Sequence, residues 1–112
     1  MNALKNKVQL IGHLGADPEL RSLENGSQLA RFSVATNEAY KNQKGEKEEK
    51  TQWHSVVAWG KLASIADQLL SKGSEVIVDG RLSHRNYEDK EGIKRYSTDV
   101  VANELYVVGG KK

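Results

Sequence analysis

The sequence predicts an all-β domain: a five-stranded barrel in Greek-key order with one α-helix between strands 3 and 4. Three observations predict it. Apolar and polar residues alternate with period two in five stretches, at 7–14, 29–37, 51–61, 75–87 and 94–102. Turn signals separate them: the single proline at Pro18, Asn25-Gly26, and Asp89-Lys90-Glu91-Gly92. The period changes to a helical one only once, at 62–71.

In the first stretch Val8, Leu10 and Leu14 share one parity with Gly12 between them, which predicts a half-buried strand bent or bulged at Gly12. Residues 15–21 read as a turn. In the second strand Ala30, Phe32, Val34 and Thr36 alternate with Arg31, Ser33 and Ala35. Residues 38–50 are rich in lysine and glutamate and predict a long solvated excursion, with Tyr40 at its base. In the third strand Trp53, Ser55, Val57 and Trp59 point one way, and His54, Val56 and Ala58 the other. Leu62, Ile65, Ala66 and Leu69 form one stripe of an amphipathic helix, with Gly73 placed to cap its end and Lys72 beside the last carbonyls. In the fourth strand Val76, Val78, Gly80 and Leu82 turn inward; Ile77, Asp79, Arg81, Ser83, Arg85 and Tyr87 turn outward. Tyr96, Thr98, Val100 and Ala102 share a parity in the fifth, and residues 105–108 extend or follow it. Residues 109–112 read as a frayed end.

Three strands, one helix and two strands match the five-stranded Greek-key barrel of the OB-fold, which binds oligonucleotides or oligosaccharides across its middle strands. The 112 residues suffice for one domain, taken as 1–112. No cysteine is present, so there is no disulfide framework and no thiolate chemistry. The N-terminus has no apolar run of signal or membrane-span length, and a soluble intracellular protein is expected. Seventeen basic against fifteen acidic residues give only +2, but Glu46, Glu48 and Glu49 are clustered in one loop, which leaves the rest of the surface more basic.

Trp53 and Trp59 stand about 20 Å apart on one face of a strand, at ~3.3 Å per residue. Tryptophan on a strand more often packs than binds, and Gly60 can simply end a core strand. Bases, however, stack on such rings without regard to sequence. His13, His54 and His84 lack metal-ligand spacing, so no metal and no cofactor is expected. No nucleophile with its base and no carboxylate pair is visible; Asp79 is a lone outward carboxylate and Asp17 lies in a turn, so no enzyme is expected. An oligosaccharide-binding module and a protein-interaction module remain open: both use exposed rings, but the first does not need flanking cations and the second would bind no DNA.

The chain resembles the bacterial single-stranded DNA-binding proteins of the homotetrameric type. The likeness runs over Asn6-Lys7-Val8, Gly15-Ala16-Asp17-Pro18-Glu19-Leu20-Arg21, Thr51-Gln52-Trp53-His54, Trp59-Gly60-Lys61-Leu62-Ala63, Lys72-Gly73-Ser74 and Gly80-Arg81-Leu82. The resemblance implies base stacking on Tyr40, Trp53, Trp59 and Tyr87, with altered rings at three of these positions. It implies phosphate contacts from Lys7, Lys61, Lys72 and Arg85. Ser55, Ser71 and Ser83 stand where arginine is familiar, which implies a thinner cationic groove. It implies a subunit contact at His54, to which the outward apolar Ile77 is added. It further implies binding of single-stranded DNA in replication, recombination and repair, self-association as a homotetramer (a dimer is possible), and a cytoplasmic, nucleoid-associated location with no membrane partner. A primosome-type dimeric relative shares the fold, but the full set of four aromatics argues against it. Such proteins usually continue into a disordered tail with an acidic tip; the usual tail is expected to be absent after Gly109-Gly110-Lys111-Lys112, so recruitment of repair or replication proteins is not inferred.

Overall fold

A computed structural model describes residues 5–108; the readings of residues 1–4 and 109–112 lie outside the described residues. The chain forms β1 (Val8–Leu14), β2 (Glu19–Ser22), β3 (Gln28–Lys41), β4 (Lys47–Trp59), α1 (Lys61–Leu69), β5 (Glu75–Glu88) and β6 (Lys94–Val108). The sheet order is β1-β5-β6-β4-β3-β2, and an added β1–β3 pairing closes five of the strands into a barrel. The OB-type barrel with its single helix is therefore present. The helix follows the third of the five barrel strands, β4.

Closure depends on β1 serving two neighbours. Val8 to His13 pair with β5, while His13 and Leu14 pair with Ala35 and Val34 of β3. Gly12 sits at the changeover. A Cβ there would run into the Ala35 carbonyl oxygen. Gly80 plays the same part where β5 meets β6, since a Cβ would strike the Val101 carbonyl oxygen beside the bulge at Asp79/Gly80. Bends of this kind let a short sheet curl shut. The side chains that fill the interior are the predicted inward ones: Leu10, Leu14, Ala30, Phe32, Val34, Val56, Ala58, Val76, Val78, Val100 and Ala102. Burying each large aliphatic contributes about 1.5–3 kcal/mol.

The helix differs from its expected face. Its buried residues are Ala63 and Ala66, with Leu70 just past its end, whereas Ile65 and Leu69 are exposed. Small alanines let the helix lie close against the barrel, so the stripe follows size as well as hydropathy. Gly73 is not the cap. Leu70 is, donating its N–H to the Ala66 carbonyl. The Gly73 N–H instead bonds the Leu14 carbonyl at 2.9 Å, and the Lys72 N–H bonds Asp17 Oδ1 at 2.7 Å. Two further expectations change. Residues 15–21 include the first three residues of the short strand β2, whose four residues are all exposed and so carry no alternation. Residues 38–50 are mostly ladder, paired without interruption out to Lys41↔Lys47. That ribbon stands off the barrel with both faces wet, which removes the period-two signal. Residues 105–108 continue β6 beyond the bulge, and the bulge turns Leu105 and Val107 inward. Leu82, expected inside, is exposed where β5 leaves the barrel; its backbone N–H and carbonyl pair with the Asn6 side chain at 3.0 and 2.9 Å. No helix among the described residues is long and apolar enough to cross a membrane.

Each long hairpin is closed by one short polar side chain. Asn42 Oδ1 accepts from the N–H groups of Lys44 and Glu46, while Asn42 Nδ2 donates to Glu48 Oε1 at 2.7 Å. Asp89 Oδ1 likewise accepts from Glu91 and Ile93 N–H, and Arg95 Nε donates to its Oδ2 at 3.0 Å. These are Asx-turns. Asn42 first, and the Tyr40 hydroxyl second, hold the Glu48 carboxyl below the ordinary glutamate value. A bond to Ile93 N–H first, then Arg95, does the same for Asp89.

Two outcomes are expected. Gly12→Ala forces the Ala35 carbonyl aside and destabilises the fold by ~3 kcal/mol or more, read as a lower urea midpoint at fixed protein concentration. An unchanged midpoint would show that closure does not need this glycine. Glu48 has a depressed folded value, so its stabilising contribution is present above its unfolded value and is lost as pH falls through the folded one. In an NMR titration the Tyr40 ring shifts with a midpoint below the ordinary glutamate value; an ordinary midpoint would contradict the Tyr40–Glu48 contact.

Candidate nucleic-acid interface

The outer faces of β3, β4, β6 and β5 form one continuous surface. Across it Leu29 pairs with Trp59, Arg31 with Val57, Ser33 with Ser55 and Ala35 with Trp53. Val57 is aligned with Val101, Val101 with Arg81, and Asp99 with Ser83. The surface holds a shallow groove of about 260 Å³ at Trp59, Val57, Arg31, Arg81, Arg85 and Asp99. Val57 was expected to project outward, and it does, but it is only 4% exposed. Longer side chains on neighbouring strands cover it, so it makes the apolar floor of the groove.

Trp53 and Trp59 are 61% and 47% exposed, far above what packing residues show. The Trp53 ring rests on Gly15, where a Cβ would come within 2.5 Å of Cζ3. The absence of a side chain at Gly15 therefore gives the ring a seat and leaves its other surface open. Trp59 ends β4 directly before Gly60, whose φ of 61° turns the chain into α1. Lys61 then becomes the first helical residue, with no acidic partner in that first turn. A cation there opposes the helix dipole and stabilises nothing locally. Tyr87 lies on the same parity as Arg85, Ser83 and Arg81, opposite Arg95, and extends the groove face along the β5–β6 hairpin. It is about half exposed.

Tyr40 lies elsewhere. The β3–β4 register runs without a slip from Leu29↔Trp59 to Lys41↔Lys47, so Tyr40 falls on the opposite face of the ribbon from Trp53. Its ring is half exposed and its hydroxyl donates to Glu48 Oε2 at 3.0 Å.

The cations differ in the same way. Lys7 Nζ lies 3.2 Å from Asp79, on the β1 side of β5. Arg85 Nε lies 3.2 Å from Asp99, within the groove. Lys72 sits in the loop between α1 and β5 near Asp17, away from the groove. Lys61 and Lys72 have no ion-pair partner among the described residues. Sequence reasoning overlooked Arg31, Arg81 and Asp99. Arg31 and Arg81 were legible as outward positions, but their convergence needs the pairing of β4 with β6, which joins strands more than forty residues apart.

His54 and Ile77 are both partly buried. His54 Nε2 is 2.9 Å from Thr36 Oγ1, a tie between β4 and β3. Ile77 lies between Ile11 of β1 and Tyr106 of β5's other neighbour, β6, in an outward apolar row. The Tyr106 hydroxyl donates to Glu104, which raises the tyrosine's pKa. No cluster of three metal-ligating side chains occurs among the described residues.

Comparison with known proteins gives the family. Residues 5–108 match the model of the single-strand binding protein family. The chain is 47% identical over 107 residues to "Single-stranded DNA-binding protein 1" of Chlorobaculum tepidum, covering 95% of this chain and 66% of that protein. It is 49% identical over 108 residues to the protein of the same name in Xylella fastidiosa, covering 96% and 79%. The chain thus spans about two thirds to four fifths of the length of these relatives. Among solved structures, one described as "Plasmodium falciparum SSB complex with ssDNA" superposes with a TM-score of 0.84 at 31% identity, covering 92% of this chain and 94% of that one. The chain belongs to the single-strand binding protein family.

Proposed function

We propose that this chain binds single-stranded DNA with little sequence preference and protects and organises it during replication, recombination and repair. The observation that carries the reading is the pair of exposed rings, Trp53 and Trp59, on the outer face of β4, with Trp59 lining a groove that also holds Arg31, Arg81 and Arg85. Stacking on each ring contributes ~1–3 kcal/mol per base. Every base has a flat face, so the gain does not depend on sequence. A duplex keeps those faces inside its stack and offers only backbone. Tyr87 continues the platform and Tyr40 adds a ring on the second hairpin. Lys7, Lys61, Lys72 and Arg85 neutralise phosphates. The name and description of the relatives and of the superposed structure, all single-stranded DNA binders, support the same reading.

Self-association as a homotetramer belongs to the proposal. Among the described residues β1 pairs with β3 only at His13 and Leu14, which leaves Val8 to Gly12 with one free edge. The outward row Ile11, Ile77 and Tyr106 lies beside it. A free edge next to an apolar face is a surface that a second copy covers well. His54 joins that contact by resemblance, through the ring atoms that Thr36 leaves free. Several copies would lengthen the path available to one strand.

Titration with oligo(dT) is expected to quench tryptophan emission, with duplex binding far weaker. Trp53→Ala and Trp59→Ala each weaken binding by ~1–3 kcal/mol. The logarithm of affinity falls with the logarithm of salt by ~0.7 per phosphate neutralised, whereas a sugar-binding module would hardly respond. Equal affinity for duplex, or no quenching, would overturn the reading. Light scattering is expected to give the mass of a tetramer, and Ile77→Glu to lower it; a monomeric parent chain would remove the assembly from the proposal.

A further inference from the structure

Asp99 is the one charged side chain buried among the described residues, at 6% exposure, and it is not in the core. It lies on the outer face of β6, in the groove. Both carboxylate oxygens are engaged. Oδ1 accepts from Arg31 Nη1 at 3.4 Å, and Oδ2 from Arg85 Nε at 3.2 Å. The two arginines come from β3 and β5, on opposite sides of β6 in the sheet order. Arg31 reaches Asp99 across β4, passing over Val57, its cross-strand partner. A buried carboxylate without partners is costly, so the two guanidiniums account for the burial of Asp99. The converse does not hold. Each arginine spends one N–H of its five on Asp99. The Arg31 and Arg85 side chains remain 39% and 53% exposed, beside Trp59. Both side chains line the same groove, and each keeps donors that make no other side-chain bond among the described residues. Two guanidiniums and one carboxylate leave a net charge of one positive, which a single phosphodiester neutralises.

We propose that Arg31 and Arg85, splayed on Asp99, clasp one phosphate of the strand whose adjacent base lies on Trp59. Arg31 is thereby a DNA-contacting residue, and Asp99 a positioning residue that touches the arginines only. The clasp rests on the single-stranded DNA reading. It adds a shared phosphate seat at a defined place in the groove, where Arg85 otherwise counts as an isolated cation. A planar guanidinium suits the role because its fork matches phosphate oxygens.

The test is oligo(dT) titration, followed by tryptophan emission across a salt series, for the parent chain and its variants. Arg31→Gln and Arg85→Gln are each expected to weaken binding about tenfold, the low end for hydrogen bonds to charged groups. With either arginine removed, Asp99 balances the remaining guanidinium and the phosphate is no longer neutralised, so each single variant loses about 0.7 from the parent salt slope and the double variant no more than that. Two independent contacts would instead give losses that add, about twice as much in the double as in either single variant, and that result overturns the clasp. With Asp99→Asn in the background, Arg31→Gln is expected to cost less than about twofold, since the arginines are no longer held together. A cost equal to that in the parent background overturns the positioning role. Should Arg31→Gln fail to fold, Arg31→Lys serves: a few-fold loss at unchanged slope supports the fork, and parent affinity overturns it. A parent chain that does not bind oligo(dT) overturns the DNA-binding reading and this one with it. A parent that binds while Arg31→Gln matches it overturns the clasp alone.

Discussion

The structure hangs on β1 pairing with two strands at once. A five-stranded sheet this short has two edges, and each is a row of unpaired backbone groups. β1 joins them by giving its first part to β5 and its last two residues to β3. Only a residue without a Cβ fits at the crossing, because the Ala35 carbonyl occupies that space. Closure at this point bends the whole sheet. The bend curves β3, β4, β6 and β5 around the valine core and gives the outer surface its shape. The groove between Trp59 and the arginines is thus the outside of a barrel whose inside decides where its walls stand.

Chemistry on that surface follows from what the scaffold leaves in place. The Trp53 ring is seated on a glycine, so less rotamer freedom would be lost on the proposed stacking of a base. The two groove arginines are held by a carboxylate instead of waving in solvent. In each case a long or flat side chain has been immobilised from below, leaving its upper surface unsatisfied. Lys61 is the third instance in a different form: it occupies a helix position where a carboxylate would be the stabilising choice. A surface arranged for stability alone would not combine these three features.

Much of this was legible in the sequence. Alternation located the five barrel strands and named most of the core, because residues such as Val34, Val56, Val76 and Val78 have one face to hide. It located both tryptophans on the outer face as well. What escaped has physical reasons. β2 and the outer half of the β3–β4 hairpin are wet on both faces, so no period marks them. The helix face was misplaced because two alanines pack closer than the larger Ile65 and Leu69, which stay outside. Val57 points outward as its parity requires yet is buried, because parity tells which way a side chain points and says nothing of what leans over it. Asp99 was invisible for a related reason: its burial comes from arginines on β3 and β5, and no local pattern in β6 records them.

Parity also constrains the path of any strand along this surface. Trp53, Trp59 and Tyr87 share the outer face, but Tyr40 lies on the other side of the β3–β4 ribbon. Beyond the barrel that ribbon has no core to cover, so both of its faces are available. Two-stranded ribbons twist strongly and with a fixed hand, which carries one face round toward the other as the hairpin leaves the barrel. A DNA strand that stacks on Trp53 and then on Tyr40 therefore cannot run straight along the sheet. On the proposed reading it would follow the ribbon's twist around its edge to reach Tyr40, whose hydroxyl is tied to Glu48. Of the four aromatics, Trp53, Trp59 and Tyr87 share the outer face of the curved sheet, and Tyr40 stands on the other face of the ribbon.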